Sequence, residues 1–269
     1  METLQKLFLS IFILFLFISC SSKEEKLKQV YDYGFRYYQG SPEHMNAFAY
    51  ALELDSTKAE TYRELSVTYL KRGIPHQWKD WYDGAVTYDP ITWQPWRGYL
   101  YLWFYRDYKK AIADFDASDV LTPNFTDHPQ GHSVDYWRGI AYLGLNDYKN
   151  SIAYFDTYIN QEINESGEGW VELTAFLYRG IAYFESGDLE NALINFDKQL
   201  QYSRNLSADA KYYKAKILKE KGNFENALIN INEAIEDFNM GYYNNRPYVE
   251  TLRQIYMEDL VLLKSELTS

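Results

Sequence analysis

The stretch Tyr178-Arg179-Gly180-Ile181-Ala182-Tyr183-Phe184-Glu185-Ser186-Gly187-Asp188-Leu189-Glu190-Asn191-Ala192-Leu193-Ile194-Asn195-Phe196 decides the fold. Gly180 marks a point where only a hydrogen fits between two helices, and Tyr183 follows on the same helical face. Gly187 lies past the helix end, where a left-handed backbone is needed. Leu189, Ala192 and Phe196 then recur at three and four residues on a second helix. The unit is a pair of antiparallel helices with one apolar seam. It cannot bury that seam alone and must stack on copies of itself.

Copies are present. Trp137 to Phe155 echoes the stretch closely, and Trp96 to Phe115 is a third version. A well-formed earlier copy has Tyr62, Leu65, Ser66, Tyr69, Gly73, Tyr82, Ala85 and Pro90. A later one has Ala215, Leu218, Gly222, Phe224, Ala227, Ile231 and Ala234. The first (Gly34, Tyr37, Phe48, Ala51) has a turn shortened by about two residues, and the third is about one residue long. Six copies in phase resemble the tetratricopeptide repeat, which pairs two helices in about 34 residues.

The resemblance implies an all-α tetratricopeptide-repeat superhelix, an α-solenoid of six helix pairs. The pairs are expected at 24–39/42–54, 58–72/77–88, 91–105/108–120, 132–145/148–160, 170–186/189–202 and 206–221/224–238. Surplus residues fall in two expected surface loops, 123–131 and 161–169. Residues 247–263 have helical periodicity and begin with Pro247, which predicts a capping helix over the last pair.

Residues 7–19 are almost wholly apolar and follow Lys6. The run is too short to span a bilayer, which takes about 20 residues, and fits the core of a signal peptide. It ends at Phe17-Ile18-Ser19-Cys20, and Cys20 is the only cysteine. This resembles a bacterial lipobox, with Phe17 where Leu is usual, and implies lipidation of Cys20 and membrane attachment through that lipid alone. The organisation expected is signal peptide 1–19, lipidated tether 20–26 and repeat solenoid with capping helix 27–269. Lys23-Glu24-Glu25 resembles the surface-export signal of Bacteroidota lipoproteins. Together the Tyr/Trp-rich repeats and the lipid signal resemble tetratricopeptide lipoproteins of that group. Location is expected at the outer membrane, facing either the periplasm or the cell surface.

With 38 acids against 27 bases the formal charge is −11. That balance repels polyphosphate, so no nucleic acid is expected as partner. It mainly supports solubility and would favour a basic partner. No phosphate loop, nucleophile elbow or zinc-protease motif is present, so the expectation is no enzyme and no cofactor. Asp127, His128, His132 and Asp135 are close in sequence but sit in a Pro/Gly loop, and no metal site is expected there. Five of the seven tryptophans fall within 78–103. They form either a local core that repairs an irregular repeat or a stacking surface for a peptide or sugar ring.

In tetratricopeptide repeats the first helix of each pair lines the inner face. Carried over copy by copy, the candidate partner-binding groove is Arg63, Val67 and Lys71, then Tyr99 and Trp103, then Tyr136, Ile140 and Leu143, then Leu177, Ile181 and Phe184, and last Tyr212 with Lys216 and Lys219. The alternative is that these side chains pack against a neighbouring helix or the capping segment. The carboxylate clamp of chaperone-binding repeats is absent, because Arg63/Val67 and Tyr136/Ile140 do not match it. A protein or peptide partner is the leading expectation. Glycan or nutrient capture and toxin neutralisation are the alternatives.

Overall fold

The computed structural model describes residues 22–268. The expected signal peptide and Cys20 therefore lie outside the described residues. Among the described residues there are thirteen α-helices and no strand. They form two compact units, up to Asp89 and from Pro90 onward.

The first unit contains α1 (Lys23–Gly34) with α2 (Pro42–Leu54), and α3 (Ala59–Lys71) with α4 (Trp78–Tyr88). The second contains α5 (Pro90–Leu100) with α6 (Tyr108–Leu121), α7 (Val134–Gly144) with α8 (Tyr148–Glu165), α9 (Leu173–Glu185) with α10 (Leu189–Tyr202), and α11 (Ala208–Glu220) with α12 (Phe224–Asn239). A last helix, α13 (Met257–Thr268), follows. Six helix pairs thus occupy the six expected places, and each first helix packs on its own second helix.

One contact recurs. A Cβ added to Gly34, Gly98, Gly139 or Gly180 would come within 2.7–2.9 Å of the ring of Phe48, Phe115, Phe155 or Phe196 respectively. Each of these four rings is fully buried. The first helix therefore lies directly on the face of a phenylalanine from the second. In the four pairs of the second unit the turn between the helices is equally regular. Gly187 and Gly222 take φ of 89° and 76°, and Asn146 and Arg106 adopt φ of 58° and 55° at the equivalent places. The next polar residue caps the second helix. Asp107, Asp147, Asp188 and Asn223 each accept the backbone N–H three residues on, at 3.1–3.3 Å, which satisfies a donor the helix start leaves free.

A second recurrence joins successive pairs. The base immediately before the seam residue reaches the acid immediately after the preceding pair's phenylalanine. Arg138 meets Asp116 at 3.1 Å, Arg179 meets Asp156 at 2.6 Å, and Lys214 meets Asp197 at 2.6 Å. The three acids are roughly half exposed, so the Arg179 and Lys214 pairs contribute at most about 1 kcal/mol each. Their repetition sets the register between neighbours.

Three local expectations need correction, and the extra residue of the third pair finds its cause. The first helix ends at Gly34, not at 39, because residues 35–41 form successive turns that close at Gly40 with φ of 89°. The one extra residue of the third pair is absorbed by a π-helical segment, Tyr101–Tyr105, which ends in the left-handed Arg106. The 161–169 loop is shorter than expected, because α8 continues through its first half to Glu165. The capping helix does not begin at Pro247. Residues 241–256 are an irregular strap, and α13 starts only at Met257. Tyr248 has φ of 72°, which breaks any helix begun at Pro247. The start of α13 is marked instead by Asp259, whose carboxylate accepts the Tyr256 N–H at 2.8 Å. That helix does cap the last pair, with Leu260, Leu263 and Ile255 packed among Ala215, Ile231 and Ala234.

Gly180→Leu is expected to destabilise the protein by about 3 kcal/mol, since the new side chain must displace the Phe196 ring. A thermal melt reads this directly. An unchanged melting temperature would show that the crossing tolerates bulk.

Candidate functional site

In the first unit, the expected groove residues Arg63, Val67 and Lys71 all stand on α3. Arg63 pairs with Glu64. Glu64 also accepts from Gln39 at 2.7 Å, and Lys71 donates to the Gln39 side chain at 2.7 Å. Buried His44 lies 3.4 Å from the same carboxylate through Nε2, while its Nδ1 accepts the Gly40 N–H. Burial lowers the His44 pKa despite Glu64, so the ring sits here as a neutral Nε2–H donor. Glu64 and Lys71 thus tie the irregular first turn to α3. Val67 is half-buried and Lys71 exposed.

In the second unit the first helices α7, α9 and α11 pack side by side. The expected groove residues on this face are almost all buried. Tyr99 is 8% exposed, Trp103 and Tyr136 2%, and Ile140, Leu143, Leu177 and Ile181 at most 1%. The expectation that they line an open groove is therefore corrected. Tyr136 exchanges a hydrogen bond with Thr174 at 2.6 Å. Phe184 and Tyr212 are half-buried, and both lie beneath the Lys216 ammonium, at 4.9 Å and 5.5 Å from their ring centres. Lys219 pairs with Glu266 of α13.

Part of this face is covered by the chain itself. The 241–256 strap runs back along it; its Tyr242 carbonyl accepts the Ala208 N–H at 2.9 Å, and four further contacts hold it. Asn244 donates its amide to Tyr178 Oη at 2.9 Å and its backbone N–H to Asp209 at 2.7 Å. The Arg246 guanidinium lies 4.5–5.6 Å from the ring centres of Trp103, Trp137 and Tyr99, and donates to Tyr99 Oη at 2.6 Å. Arg106, at the end of the π-helical segment, donates to the backbone carbonyls of Glu250 and Thr251. Arg253 forms a fork with Glu185 at 2.6 and 2.9 Å and donates to Asn146 at 2.7 Å. The face thus holds an irregular, looped segment through an aromatic box, a carboxylate and donors aimed at main-chain carbonyls.

No protein-family model matches the chain, and no curated protein does. Solved structures do. PilW, described as a widely conserved type IV pilus biogenesis factor, superposes with a TM-score of 0.64 at 16% identity, over 91% of this chain and 99% of its own. PilF of Pseudomonas aeruginosa gives 0.59 at 15% identity, over 80% and 93%. YrrB, described as a TPR protein with an unusual peptide-binding site, gives 0.52 at 21% identity, over 72% and 93%. The fold is that of the tetratricopeptide repeat.

Within these tetratricopeptide repeats the tryptophan-rich 78–103 region contributes mainly to packing. Trp78 and Trp103 are fully buried, and Trp81, Trp93 and Trp96 are half-buried. The residues of the 123–131 loop are tied down rather than simply solvated: Trp137 donates to the Pro129 carbonyl at 2.9 Å, and Asp127 accepts from Ser118 and Thr122. His132 packs on the rings of Tyr136 and Trp137, and Asp135 pairs with Arg138. Among the described residues no three metal-ligating side chains converge.

Sequence reasoning missed Arg246, Arg253, Arg106 and Asp209. The signal available was Asn244-Asn245-Arg246-Pro247, in which the residue before proline is biased away from the helix.

Two expected outcomes follow from burial. Trp103→Ala and Tyr136→Ala should each lower stability by about 3–5 kcal/mol, the usual cost of truncating a packed aromatic, read from urea denaturation. Asp209 is fully buried, and burial raises its pKa to about 7. In the unfolded chain the pKa is about 3.9. Between those values the folded state binds the extra proton, so stability falls as pH rises from about 4 to 7. Asp209→Asn keeps an acceptor for Asn244 and removes the titration. It should be more stable than the parent at pH 8 and lose that advantage near pH 4. An identical gap at both pH values would show that Asp209 is already ionised at the lower one.

Proposed function

We propose that the chain is a lipid-anchored outer-membrane scaffold without catalytic activity, which holds an irregular segment of a partner protein against its repeats. The observation that carries the binding half is the strap on the second unit: a face built from repeat helices accepts an irregular segment through side-chain and main-chain contacts. That is the way peptide-recognition surfaces work. The similarity to YrrB, described as having a peptide-binding site, supports the same class.

The membrane half is supported by sequence alone: the apolar run 7–19, Cys20 directly after it, and the charged residues Lys23, Glu24 and Glu25. No helix among the described residues is long and apolar enough to cross a membrane. Several acyl chains on Cys20 would give stable attachment, since each buried CH₂ contributes about 0.8 kcal/mol.

Cys20→Ala is expected to release the protein from the membrane fraction. A variant that stays membrane-bound would end the lipid-anchor reading. Crosslinking in intact membranes followed by mass spectrometry should recover one partner protein in stoichiometric amount. Recovery of the chain alone would end the scaffold reading.

A further inference from the structure

The strap differs in kind from the helices it lies on. It is fastened by cationic and polar contacts and by two buried side chains, Thr251 and Leu252, and its backbone is strained. Tyr248 and Arg253 both sit in the left-handed region, at φ of 72° and 56°. For a bulky residue such as Tyr248 this is a genuine outlier. Its side chain is 68% exposed and gains little burial in return. The fit is also incomplete. Trp103 is buried beside Arg246, yet among the described residues its indole N–H meets no acceptor. A buried donor left without a partner is unfavourable.

The two ends of the strap are secured independently. Gly241, with φ of 86°, follows α12, and Ile255 belongs to the core that holds α13. Tyr242 and Tyr243 are held by α11 and by Phe238 within that core, so residues 244–254 are the part that can leave the face as a loop while the last pair stays capped.

We propose that the face presented by Tyr99, Trp103, Trp137, Arg106 and Glu185 is a docking site for an irregular, arginine-bearing segment of a partner protein, and that residues 244–254 are its displaceable internal stand-in. This rests on the scaffold reading and specifies its ligand. The strap itself shows what the face selects. The aromatic box takes a guanidinium, where flat stacking and the Tyr99 hydroxyl favour arginine over lysine. Glu185 takes a second guanidinium through a two-point fork. Arg106 reads carbonyl oxygens and so accepts any sequence between them. The formal charge of −11 draws a basic segment toward the protein. A partner segment free to run without left-handed kinks avoids the strain at Tyr248 and Arg253.

The strap is tethered at both ends, so it competes at an effective concentration on the order of millimolar. A free peptide should therefore bind the parent protein weakly and bind better when the strap is loosened. The test uses the full-length chain, its Arg246→Ala variant, and the Arg246→Ala/Arg253→Ala double variant. The probe is a fluorescent synthetic peptide of residues 243–254, alongside the same peptide with alanine at both arginine positions. The expected result is peptide affinity raised at least about tenfold in Arg246→Ala and further in the double variant, with no binding of the alanine peptide. Equal affinity for parent and variants, including no binding to any, would overturn the proposal. So would concentration-dependent dimerisation of the variants, which assigns the face to the strap of a second copy. Hydrogen exchange on the parent protein gives an independent reading: the Asn244 and Thr251 amides, both hydrogen-bonded, should exchange at least about 100-fold faster than those of α9. Exchange as slow as α9 would make the strap a permanent part of the fold. If the peptide result fails while a partner is still crosslinked in membranes, the docking site is wrong and the scaffold reading stands.

Discussion

The close approach of a glycine on one helix to a phenylalanine ring on the next is the constraint on which the structure depends. It recurs at Gly34–Phe48, Gly98–Phe115, Gly139–Phe155 and Gly180–Phe196. With no Cβ in the way, the two helix axes approach until the ring fills the seam. In the second unit a left-handed turn residue and an Asp or Asn cap then start each second helix. Where the small seam residue is Ala215, the partner is Ile231 rather than an aromatic, and the two share a core with α13.

Stacking of the pairs adds a second layer of order. Arg138, Arg179 and Lys214 each precede a seam residue and each find the acid that follows the previous phenylalanine. The energies are small, but the same pairing in the same register at each junction disfavours slippage. Arg138 is the extreme case, buried to 2% exposure and surrounded by Asp116, Asp119 and Asp135. A lone guanidinium could not be buried so deeply, and three carboxylates offset the loss of water.

The strap shows what a stacked-repeat face can recognise. Its contacts come from side chains that the repeat pattern does not require. Arg106 reaches a main-chain carbonyl because the π-helical segment adds one residue before the turn. Glu185 and Asn146, on or just after first helices of different pairs, converge on one guanidinium. The regular pattern builds the platform, and its irregularities carry the recognition.

The repeat period, the seam residues and the six helix pairs were legible in the sequence, because each depends on residues close together in the chain. Gly180 and Phe196 belong to one unit, and so do the turn glycine and the cap. The strap was not legible for the opposite reason. Arg246 meets Tyr99 across 147 positions and Arg253 meets Glu185 across 68, and no local pattern encodes a contact of that separation. The apparent helical spacing from Pro247 onward was real only from Met257, since a period of three to four apolar residues cannot reveal a left-handed Tyr248. The apolar and aromatic residues on the first helices were visible in the sequence. Whether the face that carries them is open to solvent or covered depends on where the last stretch of chain comes to rest, and only the tertiary structure decides that.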